Sequence, residues 1–229
     1  ARIQWVIGSG ANDDVRPVRN GALFHVEGSV LRLVSTDTYR LCVASSALAE
    51  PTDTGQWIIP GRALRELLNL MEEHSPEAVA CQFGQNEARF AVSGTSLTTR
   101  LIEGKFPNYE KLIPKTHTFR LTLDALLLRQ AVRRAAIVAR EDVSKIDLDA
   151  DGESLRISAS SGTVGTCREE MTCGLDGKPI CFALNANYLA QALDAVGGEI
   201  VTLDGTGPKS PMILRAAGDE SCLVLLMPI

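Results

Sequence analysis

The sequence predicts an α+β fold in which one structural unit occurs twice, with antiparallel sheets and amphipathic helices in each copy. Three observations support this prediction. Similar segments recur at a nearly constant spacing, short alternating runs are separated by Gly, Asn or Asp, and longer segments carry helical periodicity. The composition, with 45% apolar and 22% charged residues over 229 positions, is that of a globular protein able to bury a core.

The repeat is seen first in two strand pairs. VEGSVLRLVS (26–35) matches ADGESLRISA (150–159), and their glycines, Gly28 and Gly152, are 124 residues apart. At the same offset WIIPGRALRELLNLM (57–71) matches CFALNANYLAQALDA (181–195), each a short apolar strand followed by a helix. Three alternating runs in 78–102 then match three runs in 199–227. The predicted unit is helix, three strands, strand, helix, three strands, and the predicted domains are 1–116 and 117–229.

The first copy is shorter than the second at its start. The second copy begins with the strand HTFRLTL (117–123) and a full helix, whereas matching DDV (13–15) to EDV (141–143) places Ala1 opposite Arg129, in the middle of that helix. We therefore expect this chain to be a fragment of a protein whose preceding part holds at least one strand and half a helix. A native N-terminal methionine peptide starting at Ala1 would contradict this expectation.

The predicted helices carry arginines opposite their apolar sides. In 123–140 the apolar stripe is Leu128, Val132, Ala135 and Val138, while Arg129, Arg133 and Arg140 follow one another at offsets of four and seven on another side. Arg62 and Arg65 lie on the helix predicted for 60–73, which opens on a proline. A net charge of −5 argues against a protein that grips nucleic acid mainly by neutralising phosphates, so these faces are either solvated or locally basic.

Residues that carry catalysis or bind cofactors are not arranged convincingly anywhere. The six cysteines lack a CxxC pair and are predicted to be small buried hydrophobic residues, and the three histidines are far apart. IGSGAN (7–12) lacks the third glycine of a dinucleotide loop, and Asp13, Asp14 and Asp37 have no further ligand at metal-binding spacing. We predict no catalytic residues, no metal site and no cofactor.

No apolar run approaches the roughly 18 residues that indicate a membrane span, and the start of the chain lacks the apolar core of a signal peptide. We therefore expect no membrane partner and a cytoplasmic location.

Three segments together carry a specific resemblance. STDTYRLCV (35–43) is interpreted as a strand interrupted at Asp37-Thr38, LIEGKFPNYEKLIP (101–114) leaves the first copy, and LVLLMPI (223–229) leaves the second. In this order they resemble the bacterial β sliding clamp family, the processivity subunits of DNA polymerase III, where the segments read like ATDGHRL, EGRFPDYRRVLP and VMPMRL. The resemblance covers the whole chain, including CFALNANYL (181–189), but only the second and third of the family's three domains.

The resemblance implies a non-catalytic DNA clamp fold, with antiparallel sheets outside and two helices per domain lining the inner face of a ring. Full-length protomers would pair head to tail as a homodimer that encircles double-stranded DNA weakly and topologically, whereas this fragment is expected to be monomeric. The DNA-facing residues would be Arg62, Arg65, Arg129, Arg133 and Arg140.

The resemblance also implies a pocket at the domain seam that binds short linear motifs of polymerases, the clamp loader and repair proteins. Its implied residues are Arg16, Val18, Thr36, Thr38, Tyr39, Arg40, Leu41, Pro107, Lys111, Leu112, Asn185, Tyr188, Ser210, Leu225, Met227, Pro228 and Ile229. Some of these depart from the family, since Thr38-Tyr39 stands where Gly-His is common and Lys111 replaces an arginine. Arg19 also occupies a position that is usually apolar.

Two alternatives remain open from the residues. A stand-alone repeat module that binds DNA directly would show a steep dependence on salt with short duplexes. An enzyme would require a catalytic constellation that the sequence does not display.

Overall fold

The computed structural model describes residues 17–140 and 143–229. The chain divides into two compact units, Ala1–Tyr109 and Glu110–Ile229. The division falls inside a short 3-10 turn, Tyr109–Leu112, a few residues before the domain boundary predicted at 116–117. Arg16, the IGSGAN segment, Asp13 and Asp14 lie outside the described residues.

The first unit contains a four-stranded antiparallel sheet preceded by a 3-10 turn at Pro17–Arg19. The strands lie in the order β3-β2-β1-β4. They are β1 (Gly21–Glu27), β2 (Val30–Thr36), β3 (Arg40–Ala47) and β4 (Gly55–Pro60). β1 and β2 form a tight hairpin in which Val26 pairs with Leu31, and Gly28 adopts a φ of 59° that a glycine accommodates without steric cost.

Helix α1 (Gly61–His74) follows β4 directly and precedes a second, three-stranded sheet. The strands lie in the order β5-β6-β7, with ranges β5 (Ala80–Phe83), β6 (Glu87–Val92) and β7 (Thr95–Arg100). The helix buries Leu64 and Leu67 on one face. Between the sheets, the rings of Phe24 and Phe90 lie 6.0 Å apart, and Phe83 packs against both.

The second unit has the same plan and, in addition, begins with a strand and a helix that have no counterpart in the described part of the first unit. Its strands are β8 (Phe119–Asp124), β9 (Lys145–Asp151), β10 (Ser154–Ser161), β11 (Gly165–Thr172), β12 (Gly174–Asp176), β13 (Ile180–Asn185), β14 (Ile200–Gly205), β15 (Met212–Ala216) and β16 (Cys222–Leu226). Helix α2 (Ala125–Ala139) follows β8, and α3 (Ala186–Val196) follows β13. One sheet has the order β11-β10-β9-β13 and the other β12-β8-β14-β15-β16.

The α+β prediction and the duplicated plan with antiparallel sheets are confirmed. Gly152 turns between β9 and β10 with the same φ of 59° as Gly28, because both glycines join the same pair of strands in their unit. Three α-helices are present in the described part of the chain. None of these helices has the length and apolar character needed to cross a membrane.

Several local predictions were wrong. The segment 35–43 is not one interrupted strand, because the chain reverses at residues 37–39 and Thr36 pairs with Leu41 across the β2-β3 hairpin. Cys81 and Cys181 are exposed, whereas Cys42, Cys173 and Cys222 are buried as predicted. On α2, Ala139 is fully buried and Val138 only half-buried, because the strip that packs on the sheets turns toward Ala139 at the helix end.

Candidate functional site

The turn between β2 and β3 is organised by one carboxylate. Oδ1 of Asp37 accepts hydrogen bonds from the backbone N–H groups of Tyr39 and Arg40, both at 3.0 Å. Its Oδ2 accepts a 2.8 Å bond from Nε of Arg40, and the Asp37 and Arg40 side chains are only 13% and 9% exposed. Thr36 adds a bond from Oγ1 to the Arg40 carbonyl, at 2.8 Å. The turn is therefore fixed by its own side chains.

This rigid turn projects an aromatic residue outward. Thr38 has a φ of 80°, in the left-handed region that a β-branched residue rarely adopts, and its Oγ1 donates a hydrogen bond to the Asp37 carbonyl. Tyr39, the next residue, is 62% exposed, whereas Leu41 is buried at the base of the hairpin. A strained turn that displays a large aromatic side chain resembles a binding surface more than a packing feature.

The segment that leaves β7 is anchored along its length within the first unit. The N–H groups of Leu101 and Ile102 donate to the carbonyls of Asn86 and Ile58, each at 2.9 Å. Phe106 is buried, and the Tyr109 hydroxyl lies 2.9 Å from Nδ1 of His25. These contacts hold the half-buried Pro107 on a fixed stretch of backbone.

Val18 packs against this same segment. Gly104 has a φ of 131°, and a Cβ added there would lie 2.7 Å from Cγ1 of Val18. The close approach of the 3-10 turn at Pro17–Arg19 therefore requires a glycine at position 104.

In the second unit the structure brings several predicted residues together. Asn185 caps α3, because its Oδ1 accepts from the N–H groups of Asn187 and Tyr188 at 2.9 and 3.1 Å. Its Nδ2 donates to the Val143 carbonyl at 2.8 Å, so both ends of this amide are used inside the protein. The N–H of Ile229 donates to the Ala183 carbonyl at 3.0 Å, which places the C-terminal residues beside the end of β13.

The remaining predicted residues of this unit differ in exposure. Leu225 is buried in β16, while Met227 and Ile229 are exposed and Pro228 is half-buried. Lys111 and Leu112 are exposed at the start of the unit, with Leu112 at 50%. Ser210 lies in the turn between β14 and β15, where its N–H donates to the Gly207 carbonyl at 3.1 Å.

The predicted DNA-facing arginines are not equivalent. Arg62 and Arg65 on α1, and Arg140 at the end of α2, are exposed. Arg129 is 25% exposed, forms a 2.8 Å ion pair with Asp194 of α3 and donates to the Leu193 carbonyl. Arg133 is 62% exposed and lies 3.6 Å from the same carboxylate. Much of the charge of Arg129 is therefore already balanced.

The charge of a further arginine on α2 is also balanced by a carboxylate. Arg134 donates two hydrogen bonds to Glu169 of β11, at 2.8 and 2.6 Å. These bonds hold the pKa of the Glu169 carboxyl below its ordinary value and raise the pKa of Arg134. Among the described residues, no group of three or more His, Cys, Asp or Glu side chains could hold a metal ion.

Sequence reasoning missed the residues that organise these surfaces. Asp37 was considered only as a metal ligand, although the spacing Asp37-x-x-Arg40 is a signal for a side-chain-capped turn. Asp194 gave no signal, because Asp194 and its partner Arg129 are 65 positions apart in the chain and lie on different helices.

Comparison with known proteins agrees with this architecture. The family model described as "DNA polymerase III beta subunit, C-terminal domain" matches residues 110–229, and the model for the central domain matches residues 2–108. The beta sliding clamp of Vibrio cholerae is 30% identical over 220 residues, which are 96% of this chain and 60% of the relative. That of Staphylococcus aureus is 29% identical over 221 residues, 96% of this chain and 58% of the relative.

Solved structures give the same result. The DNA polymerase III subunit beta of Pseudomonas aeruginosa superposes with a TM-score of 0.94 at 30% identity, covering 100% of this chain and 62% of that one. The Thermotoga maritima beta subunit, at 19% identity and a TM-score of 0.93, shares the fold, with 100% and 62% covered. The chain thus spans about three fifths of the length of these relatives. With both family models matched across nearly all its residues, the chain belongs to the DNA polymerase III beta subunit family, that of the bacterial sliding clamps.

Proposed function

We propose that this chain is the peptide-binding part of a sliding clamp, which tethers a replicative polymerase and other partners to DNA and performs no catalysis itself. Its partners would be the short linear motifs of polymerases, the clamp loader and repair proteins. Family membership is the observation that carries the proposal. The Asp37 turn supports it, because this turn presents Tyr39 on a backbone that needs no ordering when a ligand binds.

The apolar residues of the proposed site suit leucine and phenylalanine anchors. Tyr39, Leu112, Met227 and Ile229 are all exposed, whereas Leu41 and Leu225 are buried. Met adapts its shape to different ligands, and prolines such as Pro107 and Pro228 leave no unpaired N–H groups. Burying about 200–300 Å² of anchor surface at about 25 cal/mol/Å² contributes roughly 5–7 kcal/mol before ordering costs, so a single peptide should bind at micromolar strength or more weakly.

Asn185 would act as a positioning residue. Both ends of its amide are engaged within the protein, and one of them fixes the first turn of α3 that carries Tyr188. Thr36 and Arg40 would act in the same indirect way, since both are buried and hold the turn that displays Tyr39.

A titration with matched variants tests the peptide site. A labelled Gln-Leu-x-Leu-Phe peptide is added to the wild-type chain, to Leu112→Asp and to Met227→Asp, with Leu126→Asp as the control. Leu126 is a suitable control because it is 57% exposed, close to the 50% of Leu112, yet lies on the first turn of α2. We expect at least tenfold weaker binding for the two site variants and unchanged binding for the control. Equal peptide affinity in all four proteins would show that Leu112 and Met227 do not belong to a peptide-binding site.

A small molecule gives an independent competition test. A Pseudomonas aeruginosa clamp that is 29% identical to this chain has been solved with griselimycin bound. If this chain uses the same kind of site, griselimycin should displace the labelled peptide from the wild-type protein. Simultaneous binding of both ligands would show that the peptide occupies a different surface.

The same proposal assigns a weak contact with double-stranded DNA to the exposed arginines. Arg133 and Arg140 would contribute more than Arg129, whose charge is paired with Asp194. Because a ring holds DNA by topology, this chain alone should bind short linear duplexes feebly. We also expect the chain to sediment as a monomer. Tight duplex binding that falls steeply with salt would instead favour a stand-alone DNA-binding module.

A further inference from the structure

A single carboxylate contacts two of the arginines that are proposed to face DNA. Asp194 lies in the last turn of α3, and its Oδ1 is 2.8 Å from Nε of Arg129 on α2. Its Oδ2 is 3.6 Å from Nη2 of Arg133, which lies about one helical turn further along α2. One acidic side chain on α3 therefore contacts two successive arginines on the same side of the neighbouring helix.

The position of Asp194 is unfavourable for its own helix. The C-terminal turn of a helix carries a partial negative charge, so a cation is stabilised there and a carboxylate is repelled. The last turn of α3 holds no basic residue. Arg129 supplies the cation from α2, because its Nη2 also donates a hydrogen bond to the Leu193 carbonyl at 3.1 Å. The stabilisation of Asp194 at this place therefore comes from the arginines of α2.

The two arginines are held with different firmness. Arg129 is half-buried and is fixed to α3 by both the ion pair and the hydrogen bond to Leu193. Arg133 is exposed, and its contact with Asp194 is long, so it belongs to the class of weak surface pairs. Arg133 can therefore exchange Asp194 for a phosphate group at little cost. Two guanidinium groups and one carboxylate leave a net charge of +1 on this part of the surface.

We propose that Asp194 sets the strength of the contact between α2 and double-stranded DNA, because it neutralises one of the two positive charges there. This inference rests on the proposed function, which places these arginines against DNA, and it names the residue that limits their effect. Each further cation that neutralises a phosphate strengthens binding and steepens its dependence on salt. A contact restricted in this way holds the duplex weakly and leaves it free to move along the protein surface.

Removing the charge of Asp194 without changing its shape tests the proposal. Fluorescence anisotropy measures the binding of a short labelled duplex to the wild-type chain and to Asp194→Asn between about 50 and 200 mM salt. We expect Asp194→Asn to bind at least threefold more tightly at the lowest salt concentration. Its slope of log affinity against log salt should be steeper by about 0.9, the value for one additional phosphate contact. Its affinity for the Gln-Leu-x-Leu-Phe peptide should stay unchanged, because Asp194 is not part of the proposed peptide site.

Glu169→Gln is the matched control. This variant also removes one negative charge that pairs with an arginine of α2, but the arginine concerned, Arg134, reaches β11 instead of α3. We expect Glu169→Gln to leave both the duplex affinity and the salt slope near the wild-type values. The double variant Asp194→Asn/Arg133→Gln should lose the gain, because the side chains at 129, 133 and 194 again sum to a charge of +1.

The results separate the role of Asp194 from the DNA contact itself. Equal affinity and equal slopes in the wild-type chain and Asp194→Asn, or an equal gain in Glu169→Gln, would overturn the proposal. Weaker duplex binding by Arg133→Gln, with no gain in Asp194→Asn, would refute only the role of Asp194. Unchanged binding in both variants would also refute the assignment of these arginines to DNA.

Discussion

Replacing Asp37 by alanine should disrupt the β2-β3 turn and weaken peptide binding together. The Asp37 carboxylate accepts two backbone hydrogen bonds and pairs with the guanidinium of Arg40. The Arg40 side chain is only 9% exposed, so water cannot replace the lost carboxylate. Asp37→Ala therefore leaves the Arg40 charge buried without its ion-pair partner Asp37.

The expected cost follows from these contacts. Removing one partner of a buried ion pair costs about 3–5 kcal/mol, and the slight exposure of Asp37 places this pair near the lower end, at about 3 kcal/mol. Asp37→Asn retains an acceptor for the two N–H groups but loses both the charge and the acceptor for Nε of Arg40, so about 2 kcal/mol is expected. We also expect peptide affinity to fall at least tenfold in Asp37→Ala, because the turn no longer fixes the position of Tyr39.

Urea unfolding and peptide titration measure both effects. With a denaturant dependence of about 2–3 kcal/mol/M, a 3 kcal/mol loss lowers the midpoint of the first unit's transition by about 1–1.5 M. Asp53→Ala is the control, since Asp53 is exposed in the loop before β4. If Asp37→Ala leaves both the unfolding midpoint and the peptide affinity unchanged, the Asp37 carboxylate does not hold the turn in the way proposed.

Three further changes can be predicted from single sites. Thr38→Gly should be about 1 kcal/mol more stable than Thr38→Ala in urea unfolding, because only glycine relieves the strain at a φ of 80°; equal stability would contradict this. Asn185→Ala should lower the free energy of unfolding by about 1 kcal/mol, because α3 loses its cap. It should also weaken peptide binding, because the cap fixes the helix turn that carries Tyr188. Wild-type stability together with wild-type affinity would show that Asn185 does not position the site. Although Cys81 as a whole residue is exposed, desolvation of its sulfur raises the pKa of the thiol to about 11, so its alkylation by iodoacetamide at pH 8 should be roughly a hundredfold slower than in the unfolded chain and should increase with pH up to about pH 11. An alkylation rate equal to that of the unfolded chain would show that the thiol is not shielded.

The regular features of the fold were predictable from the sequence because they repeat. Gly28 and Gly152 mark the same hairpin, and the strand-helix segments at 57–71 and 181–195 fold in the same way, so each copy supports the interpretation of the other. The helix predicted for 60–73 forms at Gly61–His74, because the proline before it suits a helix start.

Features that depend on side-chain partners were not predictable. The reversal at residues 37–39 depends on three hydrogen bonds to one carboxylate, and an alternating pattern cannot distinguish it from a continuing strand. The pairing of Arg129 with Asp194 depends on how two helices pack, so the periodicity of α2 alone suggested a free basic face. The exposed Cys81 lies on β5, which is an edge strand in the described part of the chain, so the apolar context that indicated burial was misleading.

The location of the peptide site tests the central claim most directly. Amide chemical-shift changes of the isotope-labelled chain, recorded during titration with the Gln-Leu-x-Leu-Phe peptide, report which residues contact it. We predict that the largest changes fall within 36–41, 107–112, 185–188 and 225–229. Changes concentrated on α2 or on the β5 edge, or spread evenly over the chain, would contradict the proposed function.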